Sequence, residues 1–308
     1  MSEKNTPQTA EKFKSKIGGQ ALIEGIMMLG PNKGAMACRL PDGTIDLEVW
    51  DENNGKNAPW YKKTPLVRGC WSFVSSLVRG YKYMMKSADK QITEEDKNEM
   101  GETVMDVIMA IGSIVGVIIA IALFMFLPRI LVGFIGAVKE QRIIRSVLEG
   151  LVKIALFVGY MAATSLMKDI RRQFMYHGAE HKTIACHEAE LPLTVENVRR
   201  QTRFHKRCGT SFIFIVLIVG IFVSCFIPFT ETWQRIATSL ILLPLVVGIS
   251  YEFIRLAGNN DNTFTRVLSA PGLAMQRITT REPDDSMIEI AIAALTPCIP
   301  EDKTEDKW

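Results

Sequence analysis

The chain has 308 residues, 48% of them hydrophobic, and a formal net charge of +3. A charge this small does not argue for a nucleic acid partner. The length admits one large domain or two small ones. Six cysteines, at 38, 70, 186, 208, 225 and 298, are scattered. They lack the dense even spacing of a secreted disulfide framework, so free thiols or metal ligands facing a reducing compartment fit better.

The opening "MSEKNTPQTAEKFKSK" is polar and lacks the apolar core of a signal peptide. Residues 19–50 then read as a small sheet. "TIDLEVW" (44–50) alternates, with Ile45, Leu47 and Val49 on one face. "PDG" (41–43) is a turn signal, "AMACRL" (35–40) a hairpin partner, and "QALIEGIMM" (20–28) a third strand. Thr64 and Pro65 look like the N-cap and first residue of an amphipathic helix over 65–88. Its mixture of Trp71, Phe73, Leu77 and Tyr81 with Arg68, Arg79, Lys82 and Lys86 suits either an anionic lipid surface or packing on the sheet. "ITEEDKNEM" (92–100) is a polar helix start with acids in its first turn.

Four stretches are long and apolar enough to cross a bilayer: 107–127, 147–167, 210–229 and 236–257. Pro128 and Arg129 are expected to end the first. Glu149 and Lys153 weaken the second but stand four apart, so they are expected to pair. The link between spans two and three is rich in Lys and Arg, whereas "TETWQ" (230–234) has none. By the positive-inside rule the basic link, and with it both termini, faces the cytoplasm. The outer link 129–146 dissents, with Arg129, Lys139, Arg142 and Arg145; its "RILVGFIGAV" lies in the interface or re-enters the membrane. After the last span, Asp284 and Asp285 precede an apolar-periodic run and should cap a helix over 286–295. The charged tail 300–308 reads as disordered. There is no internal repeat, glycine-rich phosphate loop or nucleotide fingerprint.

All four histidines fall within the basic link. His177, Glu180 and His181 spell H-x-x-E-H in "YHGAEHKTIACHEAE" (176–190). On a helix, positions i and i+4 share a face, so both imidazoles can bind one ion. The adjacent Glu180 is then placed to act as general base, the inverted zincin order. A catalytic zinc needs a third protein ligand and an open fourth position. Glu252, an ionisable residue inside the fourth span, is the first candidate, with Arg255 as its ordinary partner otherwise. "RFHKRCGTSF" (203–212) supplies His205 and Cys208, and Cys186, His187 and Glu188 supply further donors. The plain alternative is a hydrogen-bonded interface. The glycines at 18, 19, 25, 30 and 34 serve sheet turns, or else allow Gln20 and Glu24 to reach the histidines. Arg281 and Glu282 sit beside a helix cap that does not explain Arg281.

Four blocks, "GGQALIEGIMMLGP" (18–31), "YHGAEHKTIACHEAE", "RFHKRCGTSF" and "PGLAMQRITTREPDDSMIEIAIAAL" (271–295), together resemble the YqhQ family, bacterial membrane proteins of domain of unknown function 1385. The resemblance covers nearly the whole chain. It implies a metal-dependent enzyme in the bacterial cytoplasmic (inner) membrane without naming a reaction. Two positions depart from the family pattern: Leu29, where a basic residue is expected, and Lys206, where proline is expected.

The expected fold class is therefore an α-helical multi-pass membrane protein of about four transmembrane helices, with a small cytoplasmic α+β part. The segments are an N-terminal region (1–103), a transmembrane domain (104–257) with a His-rich cytoplasmic loop (168–209), and a C-terminal segment (258–308). The expected activity is hydrolysis dependent on a divalent metal, zinc first. Its ligands are His177 and His181, with Glu252, His205 or Cys208 completing the shell; Glu180 is the base. Glu24, His187, Glu188 and Arg281 are further candidates. The partners are the lipid bilayer, anionic lipid and a second copy of the chain. A transporter or channel-like oligomer is the rival, supported by Pro244, the Glu149/Lys153 pair and the GxxxG stretch "GSIVG" (112–116). A scaffold is the third reading. In intact cells, a cysteine introduced at residue 190 should resist an impermeant thiol reagent, and one at residue 231 should react. Labelling of 190 from outside would reverse the orientation.

Overall fold

A computed structural model describes residues 13–53, 59–92, 102–138, 140–259 and 262–307. The chain is mostly helical, with one antiparallel sheet near its N-terminus. The strands β1 (Gly18–Leu22), β2 (Gly25–Leu29), β3 (Lys33–Arg39) and β4 (Ile45–Asp51) follow one another in sheet order. The stretch expected as one strand, 20–28, is thus a hairpin. It turns at Ile23–Glu24, where Glu24 takes φ 49°.

The sheet is covered on both faces. Helix α1 (Val67–Asp89) lays Tyr83 and Met84 on Leu22, Met27, Met36 and Cys38. On the other face, Ile17, Ala21, Ile26, Met28, Ala35 and Ala37 meet two helices, α5 (Lys168–Glu188) and α10 (Asp285–Leu295). Double coverage explains why β2 and β3 read as continuous apolar runs. It also inverts the expectation for β4. Ile45, Leu47 and Val49 point to the exposed side of this edge strand. The polar alternates face α1 instead, where Lys90 binds Asp46 and Glu48, and Trp50 stacks on Tyr83 at 4.6 Å.

The apolar helices follow. Helix α2 (Glu102–Ile121) continues through a π-helical turn (Ala122–Phe126) into α3 (Leu127–Gly133). Pro128 does not end this span: the π turn absorbs its missing donor, and the helix runs on. Helices α4 (Arg142–Thr164), α7 (Gly209–Ser224), α8 (Thr232–Asn259) and α9 (Thr263–Thr279) complete the bundle, and α6 (Val195–Arg199) is a short turn near α5. Val107–Gly133, Arg142–Thr164 and Thr232–Gly258 are long and apolar enough to cross a membrane; Gly209–Ser224 is shorter. The exposed face of α2 includes Ile111, Ile114 and Ile118, and a Cβ at Gly112 or Gly116 would have no neighbour within 4 Å among the described residues.

The charges in the apolar helices are arranged differently from the expectation. Glu149 does not pair with Lys153. It binds Arg145 (3.0 Å) and Arg235 (3.0 Å), with Arg129 at 3.8 Å. Arg129 and Arg145, two of the four charges that made the outer link look anomalous, are therefore buried inside the bundle. "RILVGFIGAV" forms the end of α3 and a 3-10 turn at Gly136–Val138.

Three terminal features differ too. Helix α1 begins at Val67 with Leu66, at φ 66°, as its N-cap, so Thr64 and Pro65 do not cap it. The amphipathic helix serves two surfaces, because its first half packs on α8 and its second on the sheet. The tail is anchored among the described residues: Asp306 is buried, accepts from Ser15 Oγ (2.8 Å) and contacts His187 Nε2 (2.8 Å). Asp284 caps α10 as expected, accepting from Met287 N–H at 3.0 Å. Residues 93–100 lie outside the described set.

Helix α5 is fixed in depth by Gly178, against which the Arg281 carbonyl rests; a Cβ there would collide with that oxygen. Gly178→Ala should lower stability by about 1–3 kcal/mol, the usual cost of overpacking. Gly159→Ala, whose Cβ would meet nothing, should be neutral or stabilising. Thermal unfolding in detergent compares the two; equal midpoints would show that α5 shifts freely.

Candidate metal centre

Helix α5 positions the centre. Its one-turn spacing stacks His177 above His181, with ring centroids 4.4 Å apart. Each ring is held at its back nitrogen by a backbone carbonyl. His177 Nδ1 lies 2.8 Å from Thr279 O at the end of α9, and His181 Nδ1 lies 2.6 Å from Arg203 O. A carbonyl only accepts, so both Nδ1 atoms carry protons and both Nε2 atoms are free to face a third group.

That group is Cys208, the N-cap residue of α7, whose Sγ is 3.3 Å from His177 Nε2. Ligand atoms of His177, His181 and Cys208 all lie within 4.8 Å of one another. Burial pushes the Cys208 thiol up, but the two imidazoles pull it down further, and the net is well below the ordinary thiol value. Burial likewise opposes charge on His177, and Cys208 then overcomes it, so this imidazole holds its proton above the usual range. The start of α7 favours the same thiolate.

Glu180 lies on the same turn of α5. It is 5% exposed and accepts no hydrogen bond among the described residues. Burial raises its pKa, partly offset by His181 and His177. Strand β1 comes close because residue 19 is glycine: a Cβ there would lie 3.1 Å from the Glu180 carboxyl carbon.

The other candidates go elsewhere. Glu252 stands outside the His177, His181 and Cys208 cluster. The start of α1 lies against α8, so Glu252 accepts from Leu66 N–H (3.2 Å) and Arg68 Nε (2.8 Å). Glu24 binds Arg172 and the Tyr176 hydroxyl, and Gln20 packs against Gly80 on the opposite sheet face. His205 lies beside the cluster, its ring centroid 5.6 Å from that of His181, but its Nε2 is directed to Glu188 (3.6 Å) and Arg207 (3.3 Å). Its backbone is clamped at both ends by the buried Gln276 side chain, at 2.8 and 2.7 Å. His187 belongs to Asp306, and Cys186 to an apolar cluster with Val198 and Ile288. Arg281 acts through its backbone, donating its N–H to Phe174 O at 2.8 Å. Gln276 and the two carbonyls carry no sequence signal of a site, and the close approach expected of the glycine block is made by Gly19 toward Glu180.

A family model described as a protein of unknown function (DUF1385) matches residues 64–301. The chain belongs to this family. It is 34% identical over 291 residues to "Uncharacterized protein YqhQ" of Bacillus subtilis (strain 168), covering 91% of each chain. No solved structure matches it.

Glu188 gives the site a testable pH signature. Burial raises its pKa, but His205, Arg207 and the Ser15 N–H outweigh that and hold it below the usual carboxylate range. A depressed pKa stabilises above the unfolded value and is lost as pH falls through the folded one. Glu188→Gln should therefore cost about 1.5–3 kcal/mol at neutral pH. That difference should vanish in acid below the ordinary carboxylate range, as denaturant unfolding at several pH values will read. A difference independent of pH would assign the loss to packing.

Proposed function

We propose that the chain is a membrane-embedded, metal-dependent hydrolase whose centre is built by His177, His181 and Cys208. One observation carries the reading: three donor atoms converge while both imidazoles are tied through Nδ1 to backbone carbonyls. Metal-ligating histidines are oriented by such outer bonds. Two imidazoles and a thiolate suit a borderline-soft divalent cation such as zinc, and three protein ligands leave a position open. A divalent ion bound there supplies Lewis acidity and acidifies water.

The chain's own residues do the rest. Cys208 offers its thiolate. His177 and His181 offer Nε2, and binding displaces the proton that His177 shares with Cys208. Glu180, buried and without a hydrogen-bond partner among the described residues, takes the proton of the attacking water at its carboxylate and returns it to the leaving group. The three apolar helices long enough to span support insertion in a bacterial inner membrane, and the shorter α7 supports a fourth crossing. Cys208 caps α7, so the centre lies where the apolar bundle meets the polar helix α5. That favours an amphiphilic or membrane-adjacent substrate.

Purified protein should contain about one divalent ion per chain, measured by mass spectrometry of the metal. His177→Ala/His181→Ala and Cys208→Ser should lose it, and Glu180→Gln should keep it while abolishing complementation of a deletion phenotype. Full complementation by Glu180→Gln would end the hydrolase reading. Metal absent from every form would end the metal reading.

A further inference from the structure

The buried charge cluster of the apolar helices plays no part in the metal centre. It lies against the second half of α7, where Val216, Gly220 and Ser224 border it, whereas Cys208 precedes the helix start. Arg129 comes from α3, Arg145, Glu149 and Lys153 from α4, and Arg235 from α8. The three arginines are 5%, 4% and 1% exposed, and Glu149 is 6% exposed. With Lys153, four formal positive charges face one negative one.

That single carboxylate is already committed, Oε1 to Arg145 and Oε2 to Arg235. Arg145 also has Thr230 O, and Arg235 has Ser146 Oγ. The buried Arg235 Nε makes no hydrogen bond among the described residues, and two further cations are left short. Arg129 directs Nη1 to Met125 O and Nη2 to Ser239 Oγ, but its buried Nε makes no hydrogen bond among the described residues. Lys153 makes neither a hydrogen bond nor an ion pair among them. Both border one cavity of about 200 Å³, shared with Glu149, Ser146 and Ser239 and otherwise walled mainly by apolar side chains.

An excess of buried positive charge is unfavourable unless an anion is present to balance it. The void is several times the roughly 30 Å³ share of one water, so it has room for more than a bare halide. Lysine as a point charge and arginine as a fork are the side chains that bind phosphate oxygens. We propose that this cavity binds a phosphate-type oxyanion, carried by a lipid headgroup or free, with Lys153 and Arg129 as its cationic contacts. The inference is independent of the metal reading, because it rests on three buried arginines and the half-buried Lys153, none of them in the metal centre.

The test uses full-length protein purified in detergent and phosphate-free buffer. Phosphorus per chain is measured after solvent extraction of lipid. Thermal unfolding is then titrated with inorganic phosphate, with short-chain phosphatidic acid, and with phosphatidylcholine and chloride as controls. Saturable stabilisation by phosphatidic acid but not by inorganic phosphate, with phospholipid co-purifying, assigns a lipid headgroup. Saturable stabilisation by inorganic phosphate assigns the free ion. In either case Lys153→Met should weaken binding by about 10-fold or more, and Lys153→Arg should retain it. The proposal is overturned if neither phosphate probe stabilises the wild type beyond the controls. It is equally overturned if a folded Lys153→Met binds like wild type.

Discussion

The hydrogen bonds from His177 Nδ1 to Thr279 O and from His181 Nδ1 to Arg203 O are the constraint on which the polar half of the molecule depends. Each joins α5 to a segment distant in sequence, and neither carbonyl can move without turning a ring. The surrounding contacts keep those carbonyls in place. Gln276 clamps the backbone of His205 two residues after Arg203, and Arg281 docks on Phe174 and Gly178 two residues after Thr279. The sheet presses β1 toward Glu180, and α10 packs beside α5 on the same sheet face. The anchored tail adds the last brace: Asp306 holds His187, one turn and a half beyond His181 on the same helix.

Much of the local structure was legible because it is encoded locally. The H-x-x-E-H spacing needs only helical geometry to put two imidazoles together, and α5 supplies it. Asp284 caps α10 because a short acceptor before an apolar run does so in almost any context. The apolar runs follow from length and composition. What was illegible depends on which element arrives beside which. Glu252 was a sound candidate until α1 brought Arg68 to it. Ile45, Leu47 and Val49 alternate as a core face would, yet coverage of the other face by α1 leaves them exposed. The tail 300–308 is charged enough to read as disordered, but Asp306 finds Ser15 and His187 across the fold.

Cys208 marks the boundary between the two kinds of information. Its spacing from His205 suggested a pair of ligands, and the structure separates that pair. The turn Lys206–Arg207 sends the His205 ring toward Glu188, while the start of α7 sends the thiol toward His177. Spacing in a loop fixes how far apart two side chains can be, not where they point. Helical spacing fixes both, which is why the i, i+4 pair survived and the loop pair did not.

The two unusual carboxylates make a complementary pair of problems. Glu149 is surrounded by three arginines, so its neighbourhood carries more positive charge than it can balance. Glu180 is buried with no hydrogen-bond donor among the described residues, beside a thiol driven toward its anion, so its neighbourhood is short of positive charge. A chain that had only to fold would be more stable with apolar groups at either place. On the proposed readings each imbalance is closed by an ion of the opposite sign, a divalent cation between His177, His181 and Cys208 and an oxyanion beside Arg129 and Lys153. The apolar helix α7 runs between the two, with Cys208 at its start and the cavity against its second half. The two sets of residues have no member in common, so neither ion can stand in for the other. Each set must therefore recruit its own ion, and each can be tested by removing only the residues that surround it.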